Sequence, residues 1–183
     1  MNFHNKFKIR DLRNNDGAQY HRLIGENLSR FQPVMPALPE DAWSDEFWDQ
    51  KVNDWVEDVR TGAAIRYVVT TSEDHIIGDI SYTNIARGPF LACNLSYRID
   101  SAYEGQGVMR RALEHCNHLI FSETGLHRIM ANYKPDNVKS GALLRRLGFC
   151  VEGYARDYLY LNGAWEDHIL TSKLSDLPTP PRP

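Results

Sequence analysis

Three runs rich in β-branched and aromatic residues follow one another through the middle of the chain: IRYVVTT (65–71), IIGDISYTNI (76–85) and FLACNLSYRI (90–99). Only the polar turns SEDH and ARGP separate them. Such runs joined by turn residues read as antiparallel strands, because a hairpin joins antiparallel neighbours whereas parallel ones need a long crossover. Whatever the rest of the chain does, it packs around an antiparallel meander.

The flanking segments supply helices. KFKIRDL alternates polar and apolar residues, with Phe7 and Ile9 on one side, and reads as a first strand. Asp16 is placed to cap a helix that turns Leu23 and Ile24 inward, and prolines at 33, 36 and 39 stop it from continuing. Ser44 is the expected N-cap of a second helix: Phe47, Trp48, Val52, Trp55, Val56 and Val59 keep a 3.6-residue period through Arg60, before Gly62. After the meander comes YEGQGVMRRALEHC, two glycines one residue apart and then an amphipathic helix. Its apolar stripe runs through Val108, Met109, Ala112, Leu113, Cys116, Leu119 and Ile120 to the terminator Gly125. HRIMANY reads as a short strand closed by Pro135, Val138 to Leu147 as a short helix, and Asn162-Gly163 as a hairpin turn between two last strands.

Glycine at a helix mouth supplies no side chain, and that is its use. A short loop without bulky groups, followed by helix amides that lack intrahelical partners, makes a concave anion site aided by the helix dipole. The dinucleotide fingerprint does not fit, because Arg110 stands where the third glycine would be and an antiparallel meander precedes the loop. No Gly-Lys-Ser/Thr follows, so the loop is not that of a nucleotide-hydrolysing P-loop.

Strand CNLSYRI, loop DSAYEGQG, helix VMRRALEH, strand RIMANY and then NVKSGALLRRLGF together resemble the core of the GCN5-related N-acetyltransferases (GNAT). GLHRIMANYKPDNVKSGALLRRLGF followed by EGYARDYLYLNGAWEDHIL is similar to the RimJ/RimL group of that superfamily, the RimJ branch above all. The resemblance covers about residues 6 to 174. It implies an α+β fold, with a mixed, mostly antiparallel twisted sheet of about seven strands splayed between the fourth and fifth and flanked by helices. Residues 1–174 form a single domain on this reading, with a proline-rich tail at 175–183. The implied activity is transfer of acetyl from acetyl-coenzyme A to the N-terminal α-amino group, alanine being favoured, of a ribosomal protein. Two alternatives stay open: the same reaction on a polyamine, amino acid or antibiotic, and a non-catalytic acyl-coenzyme-binding assembly factor.

The family loop is Gln/Arg-x-x-Gly-x-Gly/Ala, whereas this chain has Glu104-Gly105-Gln106-Gly107-Val108-Met109. A carboxylate beside a diphosphate is unhelpful, so Glu104 is expected to point away while the backbone from Gly105 to Arg110 binds. The resemblance also places the pantetheine arm along Tyr97, Arg98 and Ile99, with Asn132 and Asn137 helping to hold it. Arg145 is the favoured contact for the adenosine 3′-phosphate. Where many superfamily members carry a proton-donating tyrosine, seven residues after the motif asparagine, this chain has Leu144. Asn137-Val138-Lys139-Ser140 matches the serine-acid pattern of the RimL type instead, so Ser140 is the expected acid. Asp157, or a water chain, is the candidate base, although the group's proposed glutamate aligns nearer Leu159, which leaves the base open. An α-amine of pKa about 7.7–8.0 is already roughly a tenth to a fifth neutral at pH 7 and asks little of a base.

Composition narrows the partners. With 21 Lys and Arg against 24 Asp and Glu the formal charge is -3, which gives no basic field for phosphate neutralisation, so nucleic acid is not an expected partner. The first residues carry no apolar signal region, and no apolar run reaches the roughly 18–20 residues that span a bilayer, so a cytoplasmic protein without membrane attachment is expected, as monomer or homodimer. Cys93, Cys116 and Cys150 are odd in number and widely spaced, which reads as buried thiols rather than a disulfide framework or zinc ribbon. His115 and His118 flank Cys116, but that cysteine lies on the apolar stripe, and no metal is expected. Glu40, Asp41, Asp45, Glu46 and Asp49 suit a helix N-terminus and could also attract a basic acceptor.

Overall fold

The computed structural model describes residues 2, 3 and 6–177; the last part of the proline-rich tail, 178–183, lies outside the described residues. The strands are β1 (Asn2–Phe3), β2 (Phe7–Asp11), β3 (Ile65–Thr71), β4 (Ile76–Ala86), β5 (Ala92–Ile99), β6 (Arg128–Met130), β7 (Cys150–Leu161) and β8 (Ala164–Leu174). The helices are α1 (Gly17–Phe31), α2 (Asp45–Arg60), α3 (Val108–Thr124) and α4 (Val138–Arg146). One sheet runs in the order β1-β2-β3-β4-β5-β6-β8-β7. Every pairing is antiparallel except β5 with β6.

The expected meander is β3-β4-β5. Alternation along the strands, shifted in phase by a bulge in β4 at Ile77, separates two cores. Val68 and Ile76 pack with Tyr20, Leu23, Ile24 and Trp48 of α1 and α2, whereas Val69, Ile77 and Ile80 pack with Leu113, Cys116 and Ile120 of α3. Each of these fully buried aliphatic side chains contributes about 1.5–3 kcal/mol relative to exposure. Ser44 caps α2 by accepting from the Phe47 amide at 3.2 Å. Asp16 does not cap α1: its buried carboxylate accepts from Arg10 Nη1 and Nη2, each at 2.8 Å, and from the Arg13 amide at 2.8 Å. A buried carboxylate so close to an arginine gains more from charge-assisted bonds than from a helix amide. Cys150 is the other correction: Cys93 and Cys116 are buried, but Cys150 is exposed on the edge strand β7.

The parallel pair creates the opening in the sheet. Its register is Ala92↔Arg128, Cys93↔Ile129 and Asn94↔Met130, and it ends there, because β6 is three residues long and the chain turns off through Pro135 into α4. From Leu95 to Ile99, β5 keeps β4 on one side and, among the described residues, has no strand on the other. The sheet therefore opens into a V between its fifth and sixth strands. Omitting the two-residue β1, these are the fourth and fifth, as expected. Among the described residues, no helix is long and apolar enough to cross a membrane.

Candidate active site

The loop between β5 and α3 forms the floor of the opening. Asp100 starts it by accepting from the Ala102 amide at 3.0 Å, and Asn27 of α1 accepts from the Ser101 amide at 2.9 Å. Gly105 and Gly107 then adopt φ of 70° and 72°. A Cβ at either would meet nothing within 4 Å, so these glycines are required by backbone conformation and not by crowding. Gly107 is the N-cap of α3 without any side-chain cap, and the first turn holds no acidic residue. The first amide bonded back into the helix is that of Arg111, to Gly107 O at 3.2 Å. The amides before it face a cavity of about 570 Å³ walled by Val108, Met109 and Arg110 on one side and by Lys139, Leu143 and Arg146 of α4 on the other. Positive dipole end, unpaired amides and two arginines make this an anion cradle.

Glu104 reverses its expectation. Its carboxylate lies in the cleft, one oxygen accepting from Lys139 Nζ at 2.8 Å and the other paired with Arg30 from the last turn of α1. It lies where the cradle meets a second recess of about 410 Å³, whose walls include Phe31, Tyr97, Ile99, Asn137 and Ser140.

The second recess holds a hydroxyl pair. Asn137 is the N-cap of α4 and accepts from the Ser140 amide at 3.2 Å, which leaves the Ser140 hydroxyl free of capping duty. That hydroxyl meets the Tyr97 hydroxyl at 2.8 Å. Burial pushes the Tyr97 phenol up to about 12, with the Ser140 hydrogen bond pulling weakly the other way, so it is protonated at neutral pH. Sequence reasoning took Tyr97 for a backbone contact and missed its side chain. The signal was present in the strand alternation, which puts Tyr97 on the same face as Cys93 and Leu95, the face that α3 and α4 cover.

Other expected residues go elsewhere. Arg98 is paired with Asp79 of β4, and its guanidinium crosses to the α1 face and binds the Asp79 carboxylate at 2.6 and 2.9 Å over the Phe31 ring. Burial opposes its charge, but the Asp79 carboxylate outweighs that and holds the guanidinium above its ordinary range. Gln106 folds back, its Nε2 donating to Ala102 O at 2.8 Å. Asn132 is used up within the sheet: Oδ1 accepts from the Thr171 amide at 3.1 Å and Nδ2 donates to the Tyr158 hydroxyl at 3.0 Å. Arg145 faces a groove with Tyr133 and Phe149, and Arg146, a hundred degrees further round α4, takes its place at the cradle. Asp157 sits in a bulge of β7 with φ 48°, its amide donating to Asp167 at 2.9 Å, in a recess with Lys134 and Trp165 separate from Tyr97 and Ser140.

Residues 6–150 match the acetyltransferase (GNAT) domain family. The chain belongs to that family. Over 175 residues it is 35% identical to the [ribosomal protein uS5]-alanine N-acetyltransferase of Escherichia coli K12, covering 95% of this chain and 90% of the relative. The crystal structure of ribosomal-protein-S5-alanine acetyltransferase from Vibrio fischeri superposes with a TM-score of 0.90 at 40% identity, over 96% of each chain. RimJ of Mycobacterium smegmatis in complex with CoA-disulfide superposes with a TM-score of 0.86 at 25% identity, over 93% of this chain and 82% of that one. The expected GNAT fold is thus the observed one, and the V between β5 and β6 is its characteristic opening.

Proposed function

We propose that this GNAT-family chain transfers the acetyl group of acetyl-coenzyme A to the N-terminal α-amino group of a ribosomal protein that begins with alanine. The relatives that support this reading match nearly the whole chain. The observation that carries it is the continuity of the anion cradle, the unpaired edge of β5 and the Tyr97–Ser140 hydroxyl pair along one cleft.

The residues present fit the coenzyme: an amide cradle cleared by two left-handed glycines and flanked by Arg110 and Arg146 suits a diphosphate. When bound, the coenzyme supplies an activated acyl thioester. The backbone of Tyr97 to Ile99, without a strand across from it, aligns an extended arm as an added strand would and donates toward the carbonyl oxygen as charge grows there. Ser140, backed by the Tyr97 hydroxyl, donates toward the departing sulfur. Asn137 holds Ser140 in place by fixing the first turn of α4. Glu104 and Asp136 line the recess that holds the hydroxyl pair, and an α-amine of pKa about 7.7–8.0 asks little of either as a base.

An alanine-initiated ribosomal-protein peptide, incubated with acetyl-coenzyme A and this protein, should gain one acetyl group on its α-amine by mass spectrometry. Acetylation confined to lysines, or none at saturating coenzyme, refutes the reading.

A further inference from the structure

The cleft carries a charge arrangement that acetyl transfer does not require. Glu104 stands directly before the two cradle glycines, and its carboxylate is shared between Arg30 and Lys139, from the end of α1 and the start of α4. The two cations thus form an anion position beside the α3 amides, filled from within the chain. Arg30 does not depend on the carboxylate for its own placement, since it also donates to Asn27 Oδ1 at 3.1 Å and Ile99 O at 3.5 Å. Lys139 is 82% exposed in its side chain, so its pairing with Glu104 is weak and exchangeable. The Glu104 backbone is extended, at φ -64° and ψ 155°, and leaves the side chain able to swing without disturbing Gly105.

We propose that Glu104 is a built-in competitor for the diphosphate of the coenzyme: its carboxylate takes the anion position formed by Arg30 and Lys139, and the diphosphate binds in exchange for it, drawing Lys139 onto the phosphate. The proposal rests on the reading of the cleft as the acetyl-coenzyme A site. Its consequence is that coenzyme affinity is set below what the cradle alone would give, through like-charge repulsion and through the ion pair that must open. It also assigns Lys139 to the binding of phosphate, a role that no sequence motif suggests for it.

Calorimetric titration of wild type and Glu104→Gln with coenzyme A, and separately with pantetheine, which lacks the diphosphate, decides the matter. The variant should bind coenzyme A about tenfold more tightly at low salt, the gain shrinking as salt screens the repulsion. Pantetheine affinity should not move. Adding Lys139→Met to Glu104→Gln should remove most of the gain. Equal or weaker coenzyme binding by Glu104→Gln, an equal gain for pantetheine, or a gain that survives the loss of Lys139 would each overturn the proposal. Glu104→Ala serves the same purpose should the glutamine variant fold poorly by thermal melt. Because affinity is read without an acceptor, failure here is distinct from failure of the acetyltransferase reading, which would show as bound coenzyme without acetyl transfer to the peptide.

Discussion

Replacing Gly107 with alanine separates backbone conformation from steric crowding. The added Cβ meets nothing within 4 Å, so no packing cost arises. The residue sits at φ 72°, where an L side chain costs about 1–2 kcal/mol, and the lower entropy of the unfolded alanine chain returns about 0.4–1 kcal/mol. The net loss should therefore be about 1 kcal/mol, or a fall in Tm of about 2–4 °C for a chain of this size. Gly17 makes the contrast: a Cβ there would come within 2.0 Å of Asp49 Oδ1 and 2.9 Å of its Cα, so Gly17→Ala should cost several times more. Binding should respond differently from stability. If Gly107 relaxes toward negative φ, the amides after it lose their common aim, and coenzyme affinity should fall by about tenfold or more in spite of the small stability change. Thermal melts with and without coenzyme A, paired with calorimetry, measure both quantities. A stability loss above about 3 kcal/mol would mean that the loop is packed rather than open. Unchanged coenzyme affinity would mean that the main chain does not form the cradle.

Ser140→Ala should lower kcat by about a hundredfold or more, and Tyr97→Phe by about tenfold, with little change in coenzyme Kd; equal kcat for Tyr97→Phe and wild type would remove the phenol from the reaction. Asp157→Asn should leave kcat and KM for the peptide within about twofold, because the carboxylate lies in a separate recess, and a large loss would restore it as a base. Asn162→Ala should cost about 1–2 kcal/mol in urea unfolding, since Asn162 Nδ2 at the tip of the β7–β8 hairpin donates to Gln32 O at 2.5 Å and Met35 O at 3.2 Å and the residue's φ is 50°. Alkaline titration should unfold the protein. Burial raises Cys93, Cys116, Tyr67 and Tyr97 to about 12 and Tyr20 and Tyr82 well above their ordinary value. The folded chain therefore holds these protons where the unfolded chain releases them. Their stabilisation is whole below about pH 9 and is lost as pH climbs toward 12, at about 1.4 kcal/mol per pH unit for each group. Urea midpoints that stay level from pH 8 to 11 would refute this.

Local chemistry carried most of the elements. The β-branched runs separated by four-residue turns became β3, β4 and β5, the Ser44 hydroxyl caps α2, and Gly125 at φ 69° ends α3 where the apolar stripe ends. Asn162-Gly163 closes its hairpin with both residues at positive φ, 50° and 88°. Each of these depends on neighbours within a few positions, which a sequence displays directly. The Gly-x-Gly loop was legible for the same reason, since left-handed backbone and helix amides are properties of the segment itself.

The contents of the cleft were decided by tertiary structure. Tyr97 and Ser140 stand 43 residues apart, and Glu104 stands 74 and 35 residues from Arg30 and Lys139. Whether such pairs meet depends on how far β5 runs beyond the last pairing with β6 and on the rotation of α4 about its axis. One residue of helix phase exchanges Arg145 for Arg146 at the cradle, and an irregular stretch of β7 carries Asp157 into the recess with Lys134 and Trp165. Residue types and spacings leave those angles open. Only the packed chain sets them, because a side chain's partner is whatever the opposing surface brings within about 3 Å.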